Sequence, residues 1–215
     1  MRASRTPDLA EEYALQARGH TYVAGLDEAG RGAWAGPVCA AAVVLPLDRQ
    51  DLTAALDGVC DSKLLTAHRR AALLPVILDV AIAVGVGWAE ASTIDRFGVV
   101  AATREAMSQA LQALNRHMSG QAEALLIDHL VLPGVNLPQR SLPKADSRCL
   151  TVAAASIVAK VTRDDLMAAL DEDYPGYGFA RHKGYGTLQH RRALRELGPA
   201  PIHRMSWRPI REKLV

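Results

Sequence analysis

The sequence predicts a mixed α/β layer fold, and three observations point to it. Two consecutive strand-like runs, His20–Asp27 and Val38–Leu45, are joined by a glycine-rich turn. Strand-length apolar runs then alternate with helix-length segments. Finally, Leu150–Val161 is almost entirely small and apolar, which suits a helix lying in the core. The 215 residues fit one domain with an appendage, and 49% apolar with 22% charged residues is ordinary for a globular protein. At this size roughly 70% of the unfolded chain's surface is buried on folding, so the core needs neither disulfides nor a structural metal.

In chain order, Pro7–Arg18 reads as a short helix with Leu9, Tyr13 and Ala17 on its apolar stripe. The strand His20–Asp27 runs into the turn Gly30–Gly36. Val38–Leu45, nearly continuous in small or β-branched residues, reads as a strand buried on both faces. Leu47–Leu64 is a loop ending in Asp61-Ser62-Lys63. Thr66 caps a helix to about Asp79, and Val80–Trp88 is a third strand. Ser92–Asn115 is helical with a break near Gly98, and Ala124–Asp128 is a short strand. Leu130–Lys144 is a proline-punctuated loop with room for one more strand, and Cys149–Leu170 is a long helix. The run Tyr174-Pro-Gly-Tyr-Gly178 is irregular, and a small helical, basic appendage follows.

Composition excludes several classes. The most apolar stretch, Leu73–Ala89, is broken by Pro75, Asp79, Gly85 and Gly87, so no membrane span is expected. Met1–His20 carries Arg2, Arg5, Glu11 and Glu12 without an apolar stretch of signal-peptide type. Cys39, Cys60 and Cys149 are odd in number and lack metal-ligand spacing, which suits free thiols in a reducing compartment. A cytoplasmic location is the expectation. Net charge is only +2, but Gly178–Val215 holds nine lysines and arginines against two acids, Glu196 and Glu212. That asymmetry, interleaved with Tyr185 and Trp207, points to a polyanionic partner.

The chemistry concentrates in carboxylates that end apolar segments. Gly25-Leu26-Asp27-Glu28-Ala29-Gly30-Arg31-Gly32 puts two acids at the end of a strand, just before glycines. Neighbouring strand residues face opposite ways, so both acids can serve one site if Glu28 has left strand geometry. Asp128 ends Ala124–Ile127 in the same manner. Asp146 precedes the buried helix, where it could also act as an N-terminal cap. Converging carboxylates repel unless protonated or neutralised by cations, and all-oxygen ligands favour Mg²⁺ or Mn²⁺. Arg31 offers either a bidentate phosphate contact or an internal salt bridge to one of the acids. Lys63, Lys160 and Arg163 are candidate phosphate contacts. Lys160 and Arg163 could instead cover the outer face of their own helix. His182, His190 and His203 lie in the basic segment, where they could touch phosphates but read more readily as exposed, and none is assigned as a general base.

An ordered set of motifs now carries a resemblance. Tyr22-Val-Ala-Gly-Leu-Asp-Glu-Ala-Gly-Arg-Gly32 with Ala35-Gly-Pro-Val38 comes first, followed by Asp61-Ser62-Lys63. Lys144-Ala-Asp-Ser-Arg148 leads into Ala153-Ala-Ala-Ser-Ile157 and Ala159-Lys-Val-Thr-Arg-Asp164, and then come Tyr177-Gly-Phe179 and His182-Lys-Gly-Tyr-Gly-Thr187. Together they resemble the type 2 ribonuclease H (ribonuclease HII) family over residues 22 to about 190. The resemblance implies a ribonuclease H-like mixed β-sheet flanked by helices, with a catalytic domain over residues 1–172 and a small helical C-terminal extension over residues 173–215 contacting substrate. It implies that Asp27, Glu28, Asp128 and Asp146 are catalytic and hold two Mn²⁺ or Mg²⁺ ions. Gly30, Arg31 and Gly32 match a backbone-rich loop that senses a ribose 2′-hydroxyl, and Tyr185 matches an aromatic stacking on the next sugar. Lys63 is placed as a substrate contact. The implied substrates are RNA–DNA hybrids and duplex DNA containing ribonucleotides, cut on the 5′ side of a ribonucleotide to leave 3′-hydroxyl and 5′-phosphate ends.

Ala33-Trp34, Leu64, His129 and Ala145 depart from the family pattern, but none removes a carboxylate. Gly30-x-Gly32-x-x-Ala35 also satisfies a dinucleotide-binding spacing, yet Val38 opens a strand where that motif requires a helix. A metal-dependent DNA nuclease and an inert hybrid-binding module are the remaining alternatives. The intact acids oppose the latter, because unneutralised carboxylates weaken binding to a phosphodiester.

Overall fold

The computed structural model describes residues 6–212. One five-stranded sheet has the order β3-β2-β1-β4-β5. Its strands are β1 (Val23–Ala29), β2 (Val38–Val44), β3 (Ala83–Ala89), β4 (Ala124–Asp128) and β5 (Gln139–Leu142). The first three pair antiparallel, whereas β4 lies parallel to β1 and β5 parallel to β4. The helices are α1 (Ala10–Gln16), α2 (Leu52–Ala55), α3 (Ala67–Val80), α4 (Ala91–Phe97), α5 (Val99–Arg116), α6 (Leu150–Asp173), α7 (Phe179–His182), α8 (Leu188–Leu197) and α9 (Arg208–Arg211). Among the described residues no helix is long and apolar enough to cross a membrane.

Small residues let helices approach both faces of the sheet. A β-carbon at Gly25 would collide with the backbone of Thr151 and Val152, so α6 rests directly on β1. On the opposite face, β-carbons at Gly85 and Gly87 would enter the backbone of α5 at Ala110 and Ala106. One core therefore lies between the sheet and α6 with α3, including Val23, Val43, Ile77, Leu126 and Ile157. The other lies between the sheet and α5, including Leu26, Val44, Met107, Leu114 and Ile127. Strand β2 is buried along its whole length, as its unbroken apolar run requires. The Gly98 break, the Thr66 cap (its side chain accepts from Arg69 N–H) and the extra strand β5 also match the sequence pattern.

Two local expectations are corrected. The buried side of α1 carries Glu12 and Leu15, while Tyr13 is 45% exposed. Glu12 is buried because its Oε1 accepts from Thr151 N–H and Oγ1–H in the first turn of α6, where unpaired N–H groups favour a carboxylate. Glu28 has not left strand geometry: it remains in β1, paired with Ala40. A third cluster, Tyr177, Phe179, Ala193, Leu194, Ala200 and Ile210, gathers α7 to α9 against Ala35 and Met167.

Candidate active site

Parallel pairing of β1 with β4 sets the site. The register Leu26↔Ile127 brings Asp27 and Asp128 side by side at the carboxyl ends of the two central strands. By strand alternation both point to the α6 face. Strand β5 ends beside Asp128, and the chain then turns through Ala145–Ser147 to place buried Asp146 at the same edge. Asp146 does not cap α6, whose N-cap is Cys149, so the capping account fails. Alternation along β1 would send Glu28 to the other face of the sheet, yet its side chain lines the same cleft as Ser62, Lys63 and Lys160, where Asp128 repels it and Lys63 attracts it.

In the electrostatics of the acids, burial and mutual repulsion outweigh the cations beside them. Burial, the neighbouring Glu28 charge, and then Asp128 and Asp146 hold Asp27 well above the usual carboxylate range. Burial also raises Glu28, although the Arg31 guanidinium opposes it. Asp146 is raised by burial and by Asp61 beside it. Asp61 is the acid that strand-end patterning missed; only its place before Ser62-Lys63 signalled it. Asp128 Oδ1 accepts from Ala145 N–H at 2.9 Å, and Asp27 Oδ1 from Glu28 N–H at 2.7 Å. Glu28 Oε2 is buried with no hydrogen-bond partner among the described residues.

Cations stand beside these acids. Arg31 Nη1 donates to Glu28 Oε1 at 3.1 Å, which is the internal salt bridge rather than an open phosphate contact. Lys63 Nζ lies 3.6 Å from Asp146 Oδ2. Partial burial works against the Lys63 ammonium, but Asp27, Asp61, Asp146 and Asp128 outweigh it and raise its pKa. Among the described residues no three acidic, histidine or cysteine side chains are drawn together to ligand spacing. The donor set nevertheless fits a divalent cation. It is all oxygen, the Glu28 Oε2 carboxylate oxygen is buried and orphaned, and the Lys63 ammonium stands by another of the acids, Asp146.

Of the four acids Glu28 lines a cleft of about 280 Å³, together with Ala29, Gly30, Arg31, Gly32, Ser62, Lys63, Lys160 and Tyr185. Gly32 faces the Tyr185 ring, and Lys160 Nζ sits 5.8 Å from that ring's centre. Tyr185 is half-buried and carried on the strap Gly184–Gly186, which packs against Trp34. Lys160 is held by Asp164 at 2.6 Å. Arg163 is fully buried and does not cover the outside of its helix. The three histidines are buried as well. His182 and His190 stack at 4.5 Å, and His190 Nε2 lies 2.9 Å from His203 Nε2.

A sheet whose carboxyl edge gathers acids beneath a glycine-lined, cationic cleft defines a metal-dependent hydrolase of phosphodiester bonds. The family model for Ribonuclease HII matches residues 24–210, and the chain belongs to the ribonuclease HII family, making it a metal-dependent endoribonuclease. The ribonuclease HII of Chloroflexus aurantiacus is 53% identical over 97% of each chain. Ribonuclease H2 from Pyrococcus horikoshii OT3 superposes with a TM-score of 0.71 at 27% identity, covering 89% of this chain and 96% of that one. Bst-RNase HIII, solved in complex with Mn²⁺, shares the fold at a TM-score of 0.66 and 22% identity over 91% and 70% of the two chains.

Proposed function

We propose that this chain hydrolyses the RNA strand of RNA–DNA hybrids and cuts 5′ to single ribonucleotides in duplex DNA, leaving 3′-hydroxyl and 5′-phosphate ends. The observation that carries the reading is Asp27 beside Asp128 at the ends of two parallel strands, under the Gly30–Gly32 loop. Asp27, Glu28, Asp128 and Asp146 would hold Mg²⁺ or Mn²⁺. When bound, two such ions supply charge stabilisation for in-line displacement at phosphorus. The chain's own groups do the rest. Glu28 Oε2, buried without a partner, is free to accept a ligand. Lys63 and Arg31, paired with Asp146 and Glu28, would be available to substrate phosphates if bound cations took over those carboxylates. Backbone groups of Gly30–Gly32 approach the ribose beside Gly32, where no β-carbon stands between the loop and the Tyr185 ring, and a 2′-hydroxyl is what distinguishes RNA from DNA at one position. Tyr185 stacks on the neighbouring sugar.

Residues 173–212 act as a substrate-contacting extension of the 1–172 unit, and Lys213–Val215 lie outside the described residues. The chain acts as a monomer in the cytoplasm, where Cys39 and Cys149, buried and free, stay reduced.

Two labelled duplexes of one sequence, all-DNA or with a single ribonucleotide, test this in Mg²⁺, Mn²⁺ or EDTA. Metal-dependent cutting confined to the 5′ side of the ribonucleotide is expected. Cutting of both duplexes would mark a DNA nuclease, and binding without cutting would mark an inert hybrid-binding module.

A further inference from the structure

Behind the Gly30–Pro37 loop lie two buried arginines that the reaction chemistry does not use. Arg163 and Arg204 are both fully buried. Arg204 Nη2 donates to Gly30 O at 2.7 Å and Gly36 O at 2.9 Å. Its Nη1 donates to Arg31 O at 2.7 Å, and its Nε to Gly36 O at 3.1 Å. Arg163 donates from Nε to Pro37 O, from Nη2 to Ala35 O and from Nη1 to Lys183 O. Among the described residues neither guanidinium has a salt-bridged carboxylate: every one of these bonds goes to a backbone carbonyl. A buried charge without a counter-ion is costly, so burying two side by side demands a reason.

Peptide geometry supplies one. In a trans peptide the C=O and the following N–H point in opposite directions. Drawing the carbonyls of Gly30 and Arg31 back onto Arg204 therefore turns the N–H groups of Arg31 and Gly32 the other way. Those N–H groups, with that of Gly30, meet no acceptor among the described residues. The same three residues line the cleft beside Glu28 and Tyr185. A guanidinium on the carbonyl side also polarises each peptide so that its N–H is a stronger donor. Burial and the nearby Arg163 charge pull Arg204 down to about 9, which leaves it charged at neutral pH.

Arg204 is itself held in place from three directions. Its own N–H donates to Trp34 O, and Gly36 N–H donates to Ile202 O. Asp95 in α4 accepts from Met205 N–H, Ser206 N–H and Ser206 Oγ–H just beyond it. Next to it His203 accepts from Ala200 N–H at Nδ1, so its Nε2–H can donate to His190, whose Nδ1–H then reaches Tyr185 O at 3.0 Å. The C-terminal segment thus fixes both the glycine loop and the tyrosine strap from behind.

We propose that Arg204, backed by Arg163, is a positioning residue for ribose recognition: it holds the Gly30–Arg31–Gly32 peptides with their N–H groups presented to the substrate's 2′-hydroxyl and adjoining phosphate. The proposal rests on the ribonucleotide-cutting function above, and the test separates the two. The intact chain carrying Asp128→Asn, so that it cannot cut, is titrated with duplexes that differ only by one 2′-hydroxyl. The ratio of the two affinities is then read with and without changes at Arg204. Arg204→Met should shrink that ratio about tenfold, or about 1.4 kcal/mol. In the cutting-competent chain it should raise KM far more than it lowers kcat. Arg204→Lys, which keeps the charge but cannot fork across three carbonyls, should fall between. Leu111→Ala, a core truncation on the far face of the sheet, provides a control that loses melting temperature without changing the ratio.

An unchanged ratio in Arg204→Met despite a lower melting temperature overturns the positioning role. If Arg204→Met does not fold, a wild-type ratio in Arg204→Lys overturns it equally. A parent chain that binds both duplexes alike defeats the ribose-sensing function itself, and the positioning role with it.

Discussion

The acids at the carboxyl edge of the sheet and the arginines behind the Gly30–Pro37 loop are both withdrawn from water, but their surroundings differ. Arg163 and Arg204 between them make seven hydrogen bonds to backbone carbonyls. The acids crowd one another: Glu28 Oε2 is buried without a partner, and mutual repulsion adds to burial in raising Asp27. One cluster is satisfied by its own chain and shapes a loop. The other keeps an orphaned carboxylate oxygen and raised carboxyls, the feature on which the proposed cation binding rests. Stability and function are thus drawn from opposite kinds of buried charge only a few residues apart in sequence, Glu28 against Gly30.

The comparison can be broken most forcefully at the acids. Asp27→Asn should lower cleavage at least about 10³-fold, about 4 kcal/mol of barrier, while leaving the metal-free melting temperature unchanged or higher. A marked fall in melting temperature would make Asp27 structural. Arg204→Met should do the reverse to the fold: three carbonyls lose their donor, and chemical denaturation should show a loss of about 3 kcal/mol. Stability equal to the parent's would mean that the loop does not depend on that guanidinium.

Opposite pH dependences sharpen the contrast. Asp27, Glu28 and Asp146 are raised in the fold, so the native state holds protons that the unfolded chain has released. Their contribution to metal-free stability therefore declines as pH rises from about 4 through their folded values. The histidines behave conversely. Burial lowers His190 to about 4 and also lowers His182 and His203. The stability tied to their neutral forms is fully present above about 6.5 and is lost as pH falls toward about 4. His190→Gln should flatten that acid limb in melting curves between pH 7 and 4.5, with only about 1 kcal/mol lost at neutral pH. An unaltered acid limb would place the titration elsewhere. The smallest effect is expected at Tyr185→Ala, a several-fold loss on single-ribonucleotide duplexes that exceeds the loss on long hybrids. Equal losses on both would remove the stacking role.

Much of the scaffold was legible because its signals are local. Strand β2 announced itself by an unbroken small and β-branched run, α6 by Leu150–Val161, and the break between α4 and α5 by Gly98. Asp27, Glu28 and Asp128 stood out because each ends an apolar strand. The failures share a cause. Glu28 stays in β1 and still lines the cleft, which alternation along the strand did not foretell. Glu12 is buried on α1 because the start of α6, far away in sequence, supplies N–H donors to its carboxylate. Arg163 and the three histidines looked like surface groups because residue type suggests exposure, and their partners lie in segments brought together only by folding.

The main strands and helices, the carboxylates that end them and the glycine-rich turn after β1 can all be read along the chain. These features depend on backbone propensity and residue periodicity, which act over a few positions. The parallel pairing of β4 with β1, which brings Asp27 to Asp128, and the reach of Arg204 across 168 residues to Gly36 O arise only when the chain is assembled. A charged side chain can be buried only where another part of the chain supplies its hydrogen-bond partners, and that supply is a property of the assembled fold.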